Sequence, residues 1–151
     1  NNFAYRYGDK NDISRGASPG NRFEPGKKPM STMAPTIIFD ENNELFLVTG
    51  SPGGSDIPAA ILRVITGVID FDLDIGEATM LPRIHKDWPY VGLEHERAVS
   101  RDIVRRLKSM GHKTEYENTI GSTQSIHIIN GVNNGYADLR RPNASVSVQS
   151  N

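Results

Sequence analysis

One stretch limits the possible folds more than any other: "LFLVTGSPGGSDIPAAILRVITGVI", residues 45–69. Its first part is an apolar run of strand character that stops at Pro52, Gly53 and Gly54. Its last part places Ile57, Ala60, Ile61, Val64, Ile65 and Val68 at helical spacing, a pattern for a helix buried on most sides. Immediately upstream, the apolar run Thr36–Phe39 and the run Leu45–Val48 flank the polar "DENNE", which predicts a β-hairpin. The unbroken apolar character of both runs predicts strands buried on both faces. A hairpin that passes through a glycine turn straight into an apolar helix must form a sheet covered by that helix.

The turn itself poses a chemical question. Glycine admits positive φ and lets another molecule approach the backbone closely. Ser55 or Asp56 stands where a helix N-cap is expected, and a helix N-terminus offers free N–H groups with partial positive charge. Such N–H groups can hold an anion or the oxyanion of an acyl-transfer intermediate. The same glycines would also serve a tight turn for steric reasons alone, and the local pattern leaves both readings open.

The rest of the chain fits an α+β order. Residues 4–30 are polar, rich in Gly and Pro and without sustained periodicity, so a loop or lid segment is expected there. A short helix is predicted at Ile75–Met80, ending before Pro82. Another follows Ser100 as N-cap, with Ile103, Val104 and Leu107 on its apolar face and Gly111 beyond its end. "HKTEYEN" and "TQSIHIINGVNNGYADLR" predict strands joined by turns containing "NG". The predicted order is loop, two strands, helix, short helix, helix and three strands, within one domain spanning residues 1–151.

Composition removes several function classes. The net charge is −1 with no basic stripe, which argues against nucleic acid as a partner. No apolar run reaches membrane-span length. The absence of cysteine excludes disulfides, thiol catalysis and thiolate metal sites within the chain. The four histidines, His85, His95, His112 and His127, show no ligand spacing, so neither a metal nor another cofactor is expected.

Three further stretches carry candidate chemistry. "KKPMSTMAP" sets the hydroxyls of Ser31 and Thr32 between prolines, suited to gripping a carboxylate or to simple turn chemistry. "PRIHKDW" combines Arg83, His85, Asp87 and Trp88; His85 could act as a general base, but Arg83 and His85 are expected to tie a loop to the body by hydrogen bonds. "YADLRRP" offers Asp138 with Arg140 and Arg141, expected to form an internal ion pair or a terminal clasp.

Together, "PGKKPMSTMAPTI", "FLVTGSPGGSDI", "IDFDLDIGEATMLPRIH" and "GSTQSI" resemble, in order, the C-terminal part of the small subunit of the γ-glutamyltranspeptidase family. That family reads P-x-K-R-P-L-S-S-M-x-P-T-I, then G-S-P-G-G-S, then E-A-x-x-x-P-R-x-H, then G-S-x-Q. The resemblance implies part of an αββα four-layer sandwich of the N-terminal nucleophile hydrolases. It implies a zymogen that cuts itself into a large and a small subunit. The new N-terminal threonine of the small subunit would attack γ-glutamyl amides such as glutathione, and water or an acceptor amine would resolve the acyl-enzyme.

The resemblance implies an oxyanion-hole role for Gly53 and Gly54, and contacts from Ser31 and Thr32 to the substrate α-carboxylate. The family's D-D-F, whose second aspartate binds the α-amino group, falls on "NNF" and so on Asn2, an amide with no negative charge. Ile13 falls near the tyrosine of the family's lid. The T-x-H-x-S nucleophile motif is not found in the sequence, so the chain is expected to be inactive without its large subunit and the nucleophile. Export to the periplasm or beyond is expected from the resemblance. The alternatives are an amide hydrolase of the cephalosporin or glutaryl acylase type, and a non-catalytic anion-binding module.

Overall fold

The computed structural model describes residues 19–21, 23–87 and 92–147. Asn2, Ile13, Trp88 and most of the expected loop at 4–30 lie outside them.

The predicted hairpin forms. Strand β1 (Thr36–Phe39) pairs antiparallel with β2 (Leu45–Gly50). Asp40 builds the turn between them: its Oδ1 accepts the N–H groups of Asn42 and Glu44. β2 then pairs with β6 (Gln124–Ile129), and β6 with β7 (Val132–Ala137), giving the order β1-β2-β6-β7, antiparallel throughout. Asn130 and Gly131 close the last hairpin with φ of 51° and 76°, the left-handed pair that a two-residue loop requires.

Helix α1 (Ile57–Ile69) crosses one face of this sheet, joined by α2 (Ile75–Met80). The core gathers Leu47 from β2, Val64 and Val68 from α1, and Ile75 and Ala78 from α2. The two helices approach so closely at Gly67 that a Cβ there would lie 2.9 Å from the Cβ of Ala78. A capping box starts α2, with Asp74 accepting from the Glu77 N–H and Glu77 from the Asp74 N–H.

Burial is one-sided where the sequence predicts two. Ile37 and Phe39 of β1 are 60% and 55% exposed, and Leu62 and Ile69 of α1 are 60% and 52% exposed. The reason is topological: β1 is an edge strand, and α1 and α2 cover only one face of the sheet. Ile37, Val48 and Ile126 share the other face by strand alternation, and no described element covers it.

The second sheet was not predicted in full. β3 (Ile84–His85) pairs antiparallel with β4 (Gly92–His95), which pairs parallel with β5 (Lys113–Tyr116). Helix α3 (Arg101–Ser109) makes the crossover that a parallel pair needs. Ser100 caps it by accepting the Ile103 N–H, and Gly111 follows its end at φ 92°.

Candidate active site around the glycine turn

β2 ends at Gly50, and four residues later the chain enters a turn of 3-10 helix, Gly54–Asp56, that runs into α1. Gly53 takes φ 139° and ψ 9°, a conformation that only glycine adopts readily, and Gly54 takes φ 60°. The carbonyls of both glycines are used, accepting from the Asp56 and Ile57 N–H groups. No described residue accepts a hydrogen bond from the N–H of Gly53 or Gly54. Both residues are exposed, so two backbone donors sit together at the surface of the helix entrance.

A second segment braces this turn. The Ser51 hydroxyl donates to the Pro52 carbonyl at 2.7 Å and accepts the Ser122 N–H at 2.9 Å. Gly121, at φ 66°, packs beneath: a Cβ on Gly53 would lie 3.3 Å from its Cα. A Cβ on Gly121 would itself stand 2.6 Å from Ala60 and 2.9 Å from the Ser51 hydroxyl. The two segments border a shallow hollow of about 170 Å³ together with Thr119, Asp56 and Arg140.

Behind the brace lies a buried charge network. Arg83, 1% exposed, donates from Nη1 to the Ile120 carbonyl and from Nη2 to the Thr79 carbonyl, Thr123 Oγ1 and Asp138 Oδ2, at 2.8–3.1 Å. Asp138 Oδ2 also accepts the Thr123 N–H, and Glu96 accepts the Ile120 N–H. Arg140 joins the two carboxylates, reaching Glu96 at 2.7 Å twice and Asp138 at 3.1 Å. Burial alone would raise the carboxyl pKa values of Asp138 and Glu96. It is outweighed by their hydrogen bonds and by guanidinium charge, from Arg83 and Arg140 at Asp138 and from Arg140 at Glu96, so both groups titrate below the ordinary range. Arg83 is lowered, by burial first and by Arg140 second, whereas for Arg140 the bond to Glu96 and the carboxylate charges overcome burial and raise it. The network therefore clamps residues 120–123, and those residues support the glycine turn.

The structure brings some candidate residues together and leaves others apart. Gly53 and Gly54 form the turn, with Arg83 buried behind it. Ser31 is exposed and its hydroxyl accepts the Met33 N–H at 3.2 Å; Thr32 is half-buried. Their segment leads into β1, whose Thr36 pairs with Thr49, so it enters at the sheet end from which the glycine turn leaves. The expected ion pair of Asp138 with Arg140 is present. His85 departs from expectation: its Nε2 is buried without a hydrogen-bond partner among the described residues, and stands 3.6 Å from Asp56 Oδ1. The tie to the body comes from Arg83, because the His85 ring is turned across β3 toward a carboxylate beyond hydrogen-bonding distance. Asp56 is the N-cap of α1 yet makes no side-chain cap bond. Sequence reasoning missed the Ser51–Ser122 link and Glu96. "GSTQSI" carried a signal for the first; nothing in "LEHER" marked the second.

These features meet the comparisons with known proteins. The profile of the γ-glutamyltranspeptidase family matches residues 1–148. The chain belongs to the γ-glutamyltranspeptidase family. It is 40% identical over 108 residues to a glutathione hydrolase proenzyme of Escherichia coli, a match covering 72% of this chain and 18% of that protein. It is 35% identical over 137 residues to a glutathione hydrolase proenzyme of Bacillus subtilis, covering 87% of this chain and 23% of that one. The chain thus spans about a fifth of the length of these curated relatives. Among solved structures, a mutant γ-glutamyltranspeptidase of Helicobacter pylori superposes with a TM-score of 0.77 at 36% identity, over 82% of this chain and 69% of that one. The α+β architecture of the chain is accordingly that of the family's N-terminal nucleophile hydrolase fold, and the Escherichia coli and Bacillus subtilis relatives are named as proenzymes.

Proposed function

We propose that this chain supplies the oxyanion hole and the substrate-carboxylate contacts of an enzyme that hydrolyses and transfers γ-glutamyl groups. The observation that carries the reading is the geometry of Gly53 and Gly54: two adjacent residues at positive φ, both N–H groups without a described acceptor, braced from below by Gly121 and Ser122. A threonine outside this chain would be the nucleophile, with its own α-amine as base. Its Oγ would bond to the γ-carbonyl carbon of the donor, and the carbonyl oxygen would take up the charge and point at the two N–H groups. Collapse would break the C–N bond, the departing amine taking the proton first removed from the hydroxyl. Water or an acceptor amine would then cleave the ester.

Other parts of the reading follow the family. Ser31 and Thr32 would hold the donor α-carboxylate, and Asn2 would face its α-amino group. The large subunit of the same precursor would be the partner. The uncovered apolar face at Ile37 and Ile126 supports a partner layer on the sheet. Glutathione is the donor class that the relatives' names support, and a periplasmic or external location belongs to the same proposal.

The test uses the complete precursor after processing. Gly54→Val puts a branched side chain at φ 60°, where such residues are strained, and displaces the donors. kcat on a chromogenic γ-glutamyl anilide should fall by about two orders of magnitude or more. A folded, fully processed variant with near-normal kcat would show that the glycines serve the turn alone. Asn2→Asp should lower KM for γ-glutamyl donors while leaving simple acyl donors unimproved; the reverse would favour an acylase of the cephalosporin type.

A further inference from the structure

The strongest unassigned constellation lies on the other side of the glycine turn. His85 of β3 and Glu94 of β4 are direct partners in the antiparallel register, so their side chains stand side by side on one face of the small sheet. Asp56, at the entrance of α1, faces them. One ligand atom from each of the three lies within 4.8 Å of the other two.

We infer that Asp56, His85 and Glu94 bind a divalent first-row transition-metal ion, with zinc as its representative.

Two observations carry this. The imidazole is 11% exposed, and its Nε2 is buried with no hydrogen-bond partner among the described residues. A buried ring nitrogen aimed at two carboxyls has a use if it is a lone-pair donor. Second, the 3.6 Å from Nε2 to Asp56 Oδ1 is too long for a hydrogen bond. It matches the roughly 3.4 Å edge of a tetrahedron with metal–ligand bonds of about 2.1 Å.

The donor set selects the metal class. One imidazole nitrogen with two carboxylate oxygens suits zinc and its first-row neighbours; calcium and magnesium prefer all-oxygen shells. Three protein ligands leave a position for water. The three ligands are not adjacent in sequence, so the ion would fasten the first turn of α1 to the small sheet, two residues after Gly54. The inference does not depend on the acyl-transfer reading, and its test measures binding.

The experiment uses the complete processed protein, without an affinity tag and stripped with a chelator. Isothermal titration with Zn²⁺ should give one saturable site and a raised Tm. His85→Gln and Glu94→Gln should each weaken binding by at least about tenfold, a loss that even outer-shell changes can cause. Glu41→Gln, in the exposed turn between β1 and β2 and remote from the trio, should retain the stoichiometry and affinity. Absence of a saturable site in the wild type, or unchanged affinity in either folded variant, would overturn the inference. Should both variants fail to fold, Co²⁺ bound to the wild type decides. A visible ligand-field spectrum of low-symmetry nitrogen and oxygen coordination supports the site, and a spectrum of octahedral aqueous cobalt refutes it.

Discussion

Replacing Arg83 with methionine tests how the buried network supports the site. The side chain is 1% exposed and serves four acceptors. Not all would be stranded. The Thr79 carbonyl keeps a donor in Arg140 at 2.9 Å, and Asp138 keeps Arg140 and the Thr123 N–H. The Ile120 carbonyl loses its only side-chain donor among the described residues, which for a buried carbonyl costs about 1–3 kcal/mol. Asp138 loses one of two guanidinium partners while remaining fully buried. Removing the guanidinium also ends the burial cost that lowers its own pKa, a partial offset. The balance should be a loss of about 3 kcal/mol, at the lower edge of the 3–5 kcal/mol range for breaking buried pairs. The decisive assay is a double-mutant cycle with Asp138→Asn, read from denaturant unfolding of the processed protein. The double variant should be less destabilised than the sum, because a neutral amide no longer needs the second cation. Additivity within about 0.5 kcal/mol would refute the reasoning. Since residues 120–123 support Gly53, kcat should also fall.

Three further outcomes follow from the same geometry. Gly53→Ala should destabilise more than Gly54→Ala by thermal unfolding, because a Cβ at 53 meets the Gly121 backbone at 3.3 Å and one at 54 meets nothing within 4 Å. Ser51→Ala should cost about 1–2 kcal/mol, by removing the acceptor of the Ser122 N–H, and should lower kcat without a matching change in KM. Asp138 and Glu96 titrate lower when folded than when unfolded, so their stabilisation is complete above the unfolded values and disappears as pH falls through the folded ones. Unfolding midpoints measured downward from about pH 5 should therefore decline, and decline less in Asp138→Asn, which has already lost one of the two groups.

The sequence was legible where structure is local. The β1–β2 hairpin, α2 with its stop before Pro82, α3 with its Ser100 cap and the Asn130–Gly131 turn all rest on signals within a few residues. β3 and β4 were missed for a physical reason. "IH" and "GLEH" are too short for alternation to register, and a parallel pairing across a helix leaves no local trace. The burial of β1 and of α1 was overread because apolar residues show that a face is suited to covering, not which element covers it. At the candidate site, the sequence marked Gly53 and Gly54 as a turn that calls for glycine, and left open whether the turn does more. Ser51 with Ser122, and Asp56 with His85 and Glu94, are products of tertiary folding. No spacing rule connects such residues in a linear reading.

The contact of Gly53 with Gly121 has an evolutionary consequence. Most tight contacts in a protein can drift, because a larger residue on one side is matched by a smaller one on the other. Here both sides are already without side chains, and the Gly121 backbone sits in a slot closed by Ala60 and Ser51. No compensating shrinkage is left to either partner. In a library of double variants, positions 53 and 121 should show no rescuing pairs, only losses that compound. The turn is a place where sequence can be kept or lost, but not exchanged.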